Sequence, residues 1–206
     1  MAKLDEAEVR AALAEFHSRI RQVVERGWGE WRDVEEFRLS KGYKPMLYPR
    51  TSANLVFDAV ARAAQDEFGA DGRCRVLEEA QTLKVCFDDR VIGRFKKGDD
   101  EGLGQNIPTQ AAIDFVDPQQ PLPGLPPEAS KVEFTWASNA IGTRIDSVLV
   151  VARDGNRAVW SYEIGEAEGA AVIDMPFDRP SAGAGTAGDD LVAPKQKPDE
   201  GTGEDR

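Results

Sequence analysis

The sequence predicts an α+β fold: N-terminal helices packed on a mainly antiparallel sheet of five to six strands, with one short helix between the sheet halves. Three observations predict it. Apolar residues recur at helical spacing up to about residue 68 and at strand spacing from residue 75 onward. Turn residues separate the later apolar runs at short intervals, as sequential hairpins require. Helices grouped ahead of strands, rather than alternating with them, favour α+β over α/β.

The first helix opens at Asp5, with Glu8 three residues on as a capping box. Val9, Leu13, Phe16, Ile20 and Val23 then follow one helical face. His17 lies beside that face and reads as a packed histidine. The helix is expected to end near Gly27, and the segment from Trp31 to Leu39 to form a short second helix, completing an N-terminal arm over residues 1–42. Residues 43–49, with two tyrosines and two prolines, read as a loop packed through its aromatics. Thr51 or Ser52 can cap a further helix that runs to Phe68, where Gly69-Ala70-Asp71-Gly72 ends it.

Strands are predicted at Arg75–Glu79, Thr82–Phe87 and Val91–Lys97, with Asp88-Asp89-Arg90 turning between the last two. A short helix follows over Thr109–Val116. Residues 118–128 hold five of the twelve prolines and must be extended. Val132–Ala137, Ile145–Ala152 and Ala158–Ile164 complete the sheet, the last pair joined at Asp154-Gly155-Asn156. Residues 1–164 therefore form a single domain. Residues 165–206 are rich in Gly, Ala, Pro and acids, cannot bury a core, and are expected to be disordered. The apolar island at residues 170–177 interrupts this composition.

The formal charge is −11, and residues 165–206 contribute ten acids against four bases. Such acidity argues against nucleic acid as a broad electrostatic partner. No run of apolar residues is long enough to span a membrane, and the N-terminus shows no secretion signal, so the expected location is cytoplasmic. Cys74 and Cys86, the only cysteines, read as reduced and buried, and one histidine leaves no Cys/His zinc site. No cofactor and no metal is expected.

Charge, glycine and amide side chains concentrate between Leu83 and Gln110. There Arg94, Lys96, Lys97, Asp99, Asp100, Asn106 and Gln110 form the candidate binding surface. The glycines at 98, 102 and 104 match neither phosphate-loop spacing. The order of helix, three strands and helix is also that of PD-(D/E)xK nucleases. In that alternative Glu67, Asp88 and Asp89 are the acids, Lys96 or Lys97 the catalytic lysine, Gln110 a polar helper, and Mg²⁺ the cofactor. Against it, the position two before Lys96 is Arg94 and two before Lys97 is Phe95, so the acid-x-lysine carboxylate is missing.

Residues 94–126, RFKKGDDEGLGQNIPTQAAIDFVDPQQPLPGLP, together with residues 146–164, DSVLVVARDGNRAVWSYEI, resemble an uncharacterised bacterial protein family. Its members are partners in two-gene modules beside a regulator that joins a helix-turn-helix to an ImmA/IrrE-like zinc peptidase. The resemblance implies a protein-binding component of a stress or phage-defence module, toxin–antitoxin-like in organisation. It carries no catalytic residues to transfer.

Overall fold

The computed structural model describes residues 5–79, 82–104, 109–139 and 141–165. Helix α1 (Glu6–Leu13) opens with the expected capping box: the Glu8 amide donates to the Asp5 carboxylate and the Asp5 amide to the Glu8 carboxylate. A single 3-10 turn (Ala14–Phe16) leads into α2 (His17–Ser40). Helix α3 (Pro49–Phe68) runs back along α2. Strands β1 (Cys74–Glu79), β2 (Thr82–Phe87) and β3 (Val91–Lys97) follow, then α4 (Gln110–Val116), then β4 (Ser130–Ser138), β5 (Ile145–Asp154) and β6 (Arg157–Glu163).

Two helix boundaries differ from expectation. Gly27 does not end the first long helix; α2 continues through it to Ser40. The glycine is there because α3 passes so close that a Cβ would lie 2.4 Å from Val60 Cγ2 and 2.7 Å from the Val60 backbone nitrogen. Local propensity argued for a break, and interhelical packing overrides it. Helix α3 starts at Pro49 rather than Thr51, because proline at the first turn lacks an N–H that would go unsatisfied anyway.

The six strands lie side by side in chain order, and every neighbouring pair is antiparallel except β3–β4. That pair is parallel because α4 and the proline-rich segment carry the chain back across the sheet. The β2–β3 turn holds Asp88 and Asp89 at φ of 47° and 55°, the left-handed pair that matches strand twist. The β5–β6 hairpin turns at Gly155-Asn156, as its sequence indicates.

The main core fills the space between α1–α3 and one sheet face. Val9, Phe16, Ile20, Val60 and Phe68 come from the helices, and Val85, Phe87, Phe95, Phe134 and Val150 from alternate strand positions. Phe87 meets Phe16, Phe68 and Phe134 at centroid distances of 5.0, 5.3 and 5.8 Å. A smaller apolar cluster lies on the opposite face, where Cys86 and Ile92 meet Phe115, Leu122, Leu125 and Ala129. The free thiols of Cys74 and Cys86 are buried, and burial pushes Cys74 up to about 11, out of nucleophilic range at neutral pH. Among the described residues no helix is long and apolar enough to cross a membrane. The tail expected to be disordered, apart from Gly165, lies outside the described residues.

Gly93 fixes how deeply Phe134 enters the core, since a Cβ on it would lie 2.1 Å from the Phe134 ring. Phe134→Ala is expected to cost roughly 3–5 kcal/mol in urea unfolding, and Gly93→Ala roughly 1–3 kcal/mol from overpacking. The double variant Gly93→Ala/Phe134→Leu should lose clearly less than the sum of its single changes. Strict additivity would show that the ring and the glycine do not share the same space.

Candidate functional site

The second face of the sheet is only half apolar. Beyond the Ile92–Phe115 cluster it turns charged, because alternation along β2, β3 and β4 puts Lys84, Arg94 and Glu133 on it in direct register. All three are buried. Lys84 Nζ is 2.7 Å from the Glu79 carboxylate, which closes that end of the row.

Glu133 is the centre. Its carboxylate is 1% exposed, and donors from two arginines and a backbone amide converge on it. Arg94 donates Nε and Nη2 to Oε1 at 3.1 and 2.7 Å. Arg153 Nη1 and the Gly104 amide donate to Oε2 at 3.0 and 3.1 Å. Arg153 Nη1 also reaches the Gly104 carbonyl at 2.8 Å, and its Nε the Gly155 carbonyl at 3.1 Å. The Arg94 guanidinium lies 4.1 Å over the Phe115 ring, so α4 roofs the ion pair. Burial pushes the Glu133 carboxyl up, but Arg94 and Arg153 outweigh it and hold the group below the usual glutamate range.

The loop after β3 is tied to this centre. Gly98 and Gly104 form an antiparallel bridge, and the Gly98 amide donates to the Trp136 carbonyl at 2.9 Å. Asp99 Oδ1 accepts from the Glu101 and Leu103 amides at 3.0 and 2.9 Å, an Asx turn that shapes the loop from within. Thr135 Oγ1 donates to the Gly102 carbonyl at 2.8 Å, and Leu103 is buried. Gly104 must be glycine: a Cβ there would lie 2.6 Å from Glu133 Oε2 and 2.8 Å from Lys96 Cβ.

The residues predicted for binding therefore divide. Arg94, at 3% exposure, lies inside the ion network rather than on a contact surface. Lys96 is half-buried on the same face, with its Nζ 5.9 Å from the Phe57 ring. Burial, with Arg94 close by, lowers its ammonium below the ordinary lysine range. Asp99 is half-buried and shapes the turn, whereas Lys97 and Asp100 are exposed. Gln110 opens α4, is exposed, and donates to Asp114 at 2.6 Å. Asn106 lies outside the described residues.

The nuclease set is not brought together. Glu67 sits in the helical layer and accepts from Arg19 Nε at 2.7 Å. Asp88 and Asp89 occupy the β2–β3 turn, where Asp89 pairs with Arg75 at 2.6 Å. Lys96 stands five strand steps beyond Val91, roughly 17 Å away along β3 at about 3.3 Å per residue. Among the described residues no three His, Cys, Asp or Glu side chains form a group that could hold a metal ion.

Glu133 and Arg153 were not singled out in the sequence, and Gly104 stood out only as one of the loop glycines. Glu133 stands between the core residues Val132 and Phe134 and reads as the solvated side of an alternating strand. The available signal was that oppositely charged residues fall on the nominally polar faces of interior strands. In urea unfolding at pH 7, Glu133→Gln is expected to cost roughly 3–5 kcal/mol, because it strips a buried ion group of its carboxylate. The Glu133 carboxyl is depressed in the folded state, so its contribution is complete above about pH 4.3, the unfolded value, and fades as pH falls through the lower folded value. The gap between wild type and Glu133→Gln should therefore narrow below about pH 4.3; a constant gap from pH 7 to 3 would refute this account. A scan against protein-family models gave no match, nor did searches of curated proteins and of solved structures.

Proposed function

We propose that the chain works by binding another protein, and that its contact surface is the outer rim of the loop that follows β3, with Lys97, Asp100 and Glu101 as the reaching side chains. One observation carries the reading. A carboxylate buried among two arginines and the Gly104 amide anchors the charged loop after β3, whose Lys97, Asp100 and Glu101 are exposed. Buried ion networks seldom add net stability, because desolvation offsets their attraction. A pre-ordered loop, by contrast, loses little conformational entropy when a partner engages it. The sequence resemblance supports a two-gene stress or phage-defence module as the setting, with the helix-turn-helix/zinc-peptidase regulator as the partner. The metal-dependent nuclease alternative draws no support from the geometry, since Asp88 and Asp89 stand at the opposite end of the β2–β3 hairpin from Lys96 and Lys97, and Glu67 lies in α3.

The triple variant Lys97→Ala/Asp100→Ala/Glu101→Ala should fold as wild type, its midpoint within about 2–4 °C, because exposed charges add little stability. Quantitative cross-linking in the native host should show the protein that the wild-type chain captures falling by on the order of tenfold, the loss of a few charge-assisted contacts. Undiminished capture by a folded variant would refute the loop as the surface. Mg²⁺-dependent plasmid cleavage that disappears in Asp88→Asn/Asp89→Asn would establish the nuclease reading instead.

A further inference from the structure

A second surface lies at the bend between α2 and α3. Ten large hydrophobic side chains are exposed among the described residues, and seven of them fall between Val34 and Leu55. Five belong to the bend: Phe37, Leu39, Tyr43, Leu47 and Tyr48, exposed by 61, 48, 61, 79 and 67%. Single exposed apolar residues need no explanation, but five within twelve positions concentrate apolar surface in water at this bend.

The bend is also ordered. Gly42, at φ +80°, ends α2 in a Schellman motif: the Tyr43 amide donates to the Arg38 carbonyl at 3.1 Å and the Gly42 amide to the Leu39 carbonyl at 2.9 Å. The Met46 amide donates to Glu35 Oε1 at 3.3 Å, which ties the loop back onto the helix. Proline at 49 then starts α3. The apolar side chains are thus held outward by a fixed backbone.

Charge selects the occupant. Residues 37–52 contain Arg38, Lys41, Lys44 and Arg50 and no acid, in a chain whose net charge is −11. Arg38 pairs with Glu35 at 3.5 Å; a second copy docking bend to bend would set Lys41, Lys44 and Arg50 against the same three bases, which like-charge repulsion opposes. Nucleic acid would use the bases and could stack on the aromatics. It would leave Leu39 and Leu47 unserved. An acidic polypeptide with apolar anchors serves both the bases and the apolar side chains.

We propose that the α2–α3 bend is a docking surface for an acidic protein segment that presents aromatic or aliphatic side chains, separate from the loop after β3. Its bases steer and orient the segment, and its aromatics take the anchors.

The test uses the full chain and three probes: a random glutamate–tyrosine copolymer, polyglutamate, and single-stranded DNA. Binding is followed by fluorescence anisotropy at low salt. The copolymer is expected to bind at least about tenfold more tightly than polyglutamate, since charge alone does not supply the anchor contacts. Lys41→Glu/Lys44→Glu should abolish binding, and Phe37→Ser/Tyr48→Ser should reduce the copolymer to the polyglutamate level. All four positions are exposed, so both variants should fold, and circular dichroism checks it. DNA binding tighter than copolymer binding would overturn the proposal in favour of nucleic acid. Equal binding of both acidic polymers would overturn the anchor assignment, and copolymer binding untouched by either variant would overturn the location. Sedimentation that shows a dimer broken by Phe37→Ser/Tyr48→Ser would assign the surface to a second copy. The triple loop variant, carried in parallel, should bind the copolymer as wild type does, so failure here and failure of the loop reading are separately visible.

Discussion

Much of the molecule is arranged around one buried carboxylate. Glu133 sits on an interior strand, and leaving it there ionised without partners would cost several kcal/mol. Its neighbours follow from that constraint. Arg94 must lie directly across on β3, Arg153 must reach over from β5, and a backbone amide must fill the remaining acceptor site. Gly104 supplies that amide and can have no side chain, because the carboxylate occupies the space. The register of β3 on β4 and the path of the loop after β3 are thereby fixed by the same four hydrogen bonds.

The sheet separates two kinds of chemistry by its alternation. One face meets the helices through aromatic and branched side chains and is dry and apolar. The other meets α4 and a proline-rich segment over its apolar part, and buried charge fills the rest. Phe115 joins the halves: it packs on Ile92 and carries the Arg94 guanidinium on its ring. Lys131 holds α4 in place by donating to the carbonyls of Asp114, Asp117 and Gln120 at the helix end. Its charge suits the negative end of the helix dipole.

The fold was largely legible because its elements announce themselves locally. Capping at Asp5 and Thr109, alternation on β2 to β4 and turn residues at Asp88 and Gly155 each specify structure within a few positions. What escaped was set by distant contacts. Gly27 reads as a helix stop until Val60 is known to need the space. Arg94 reads as a solvated strand residue until Glu133, 39 positions away, is seen to pair with it. The candidate loop was visible in its charge and glycines. That Asp99 faces its own backbone while Lys97 and Asp100 face water depends on hydrogen bonds that no spacing rule encodes.

The strand order has a kinetic side. Because β1 to β6 lie in the sheet as they occur along the chain, each strand pairs with one that the chain has only just supplied or is about to supply. Only the β3–β4 junction spans a long connection. Two three-stranded antiparallel units can therefore assemble from local hairpins, and a single loop closure joins them. Chains dominated by such near-neighbour pairings search less and reach the native sheet sooner than sandwiches or barrels of similar size. The β3–β4 pairing that joins the two units is also the one that brings Arg94 to Glu133, so the charged centre cannot form until the two units meet.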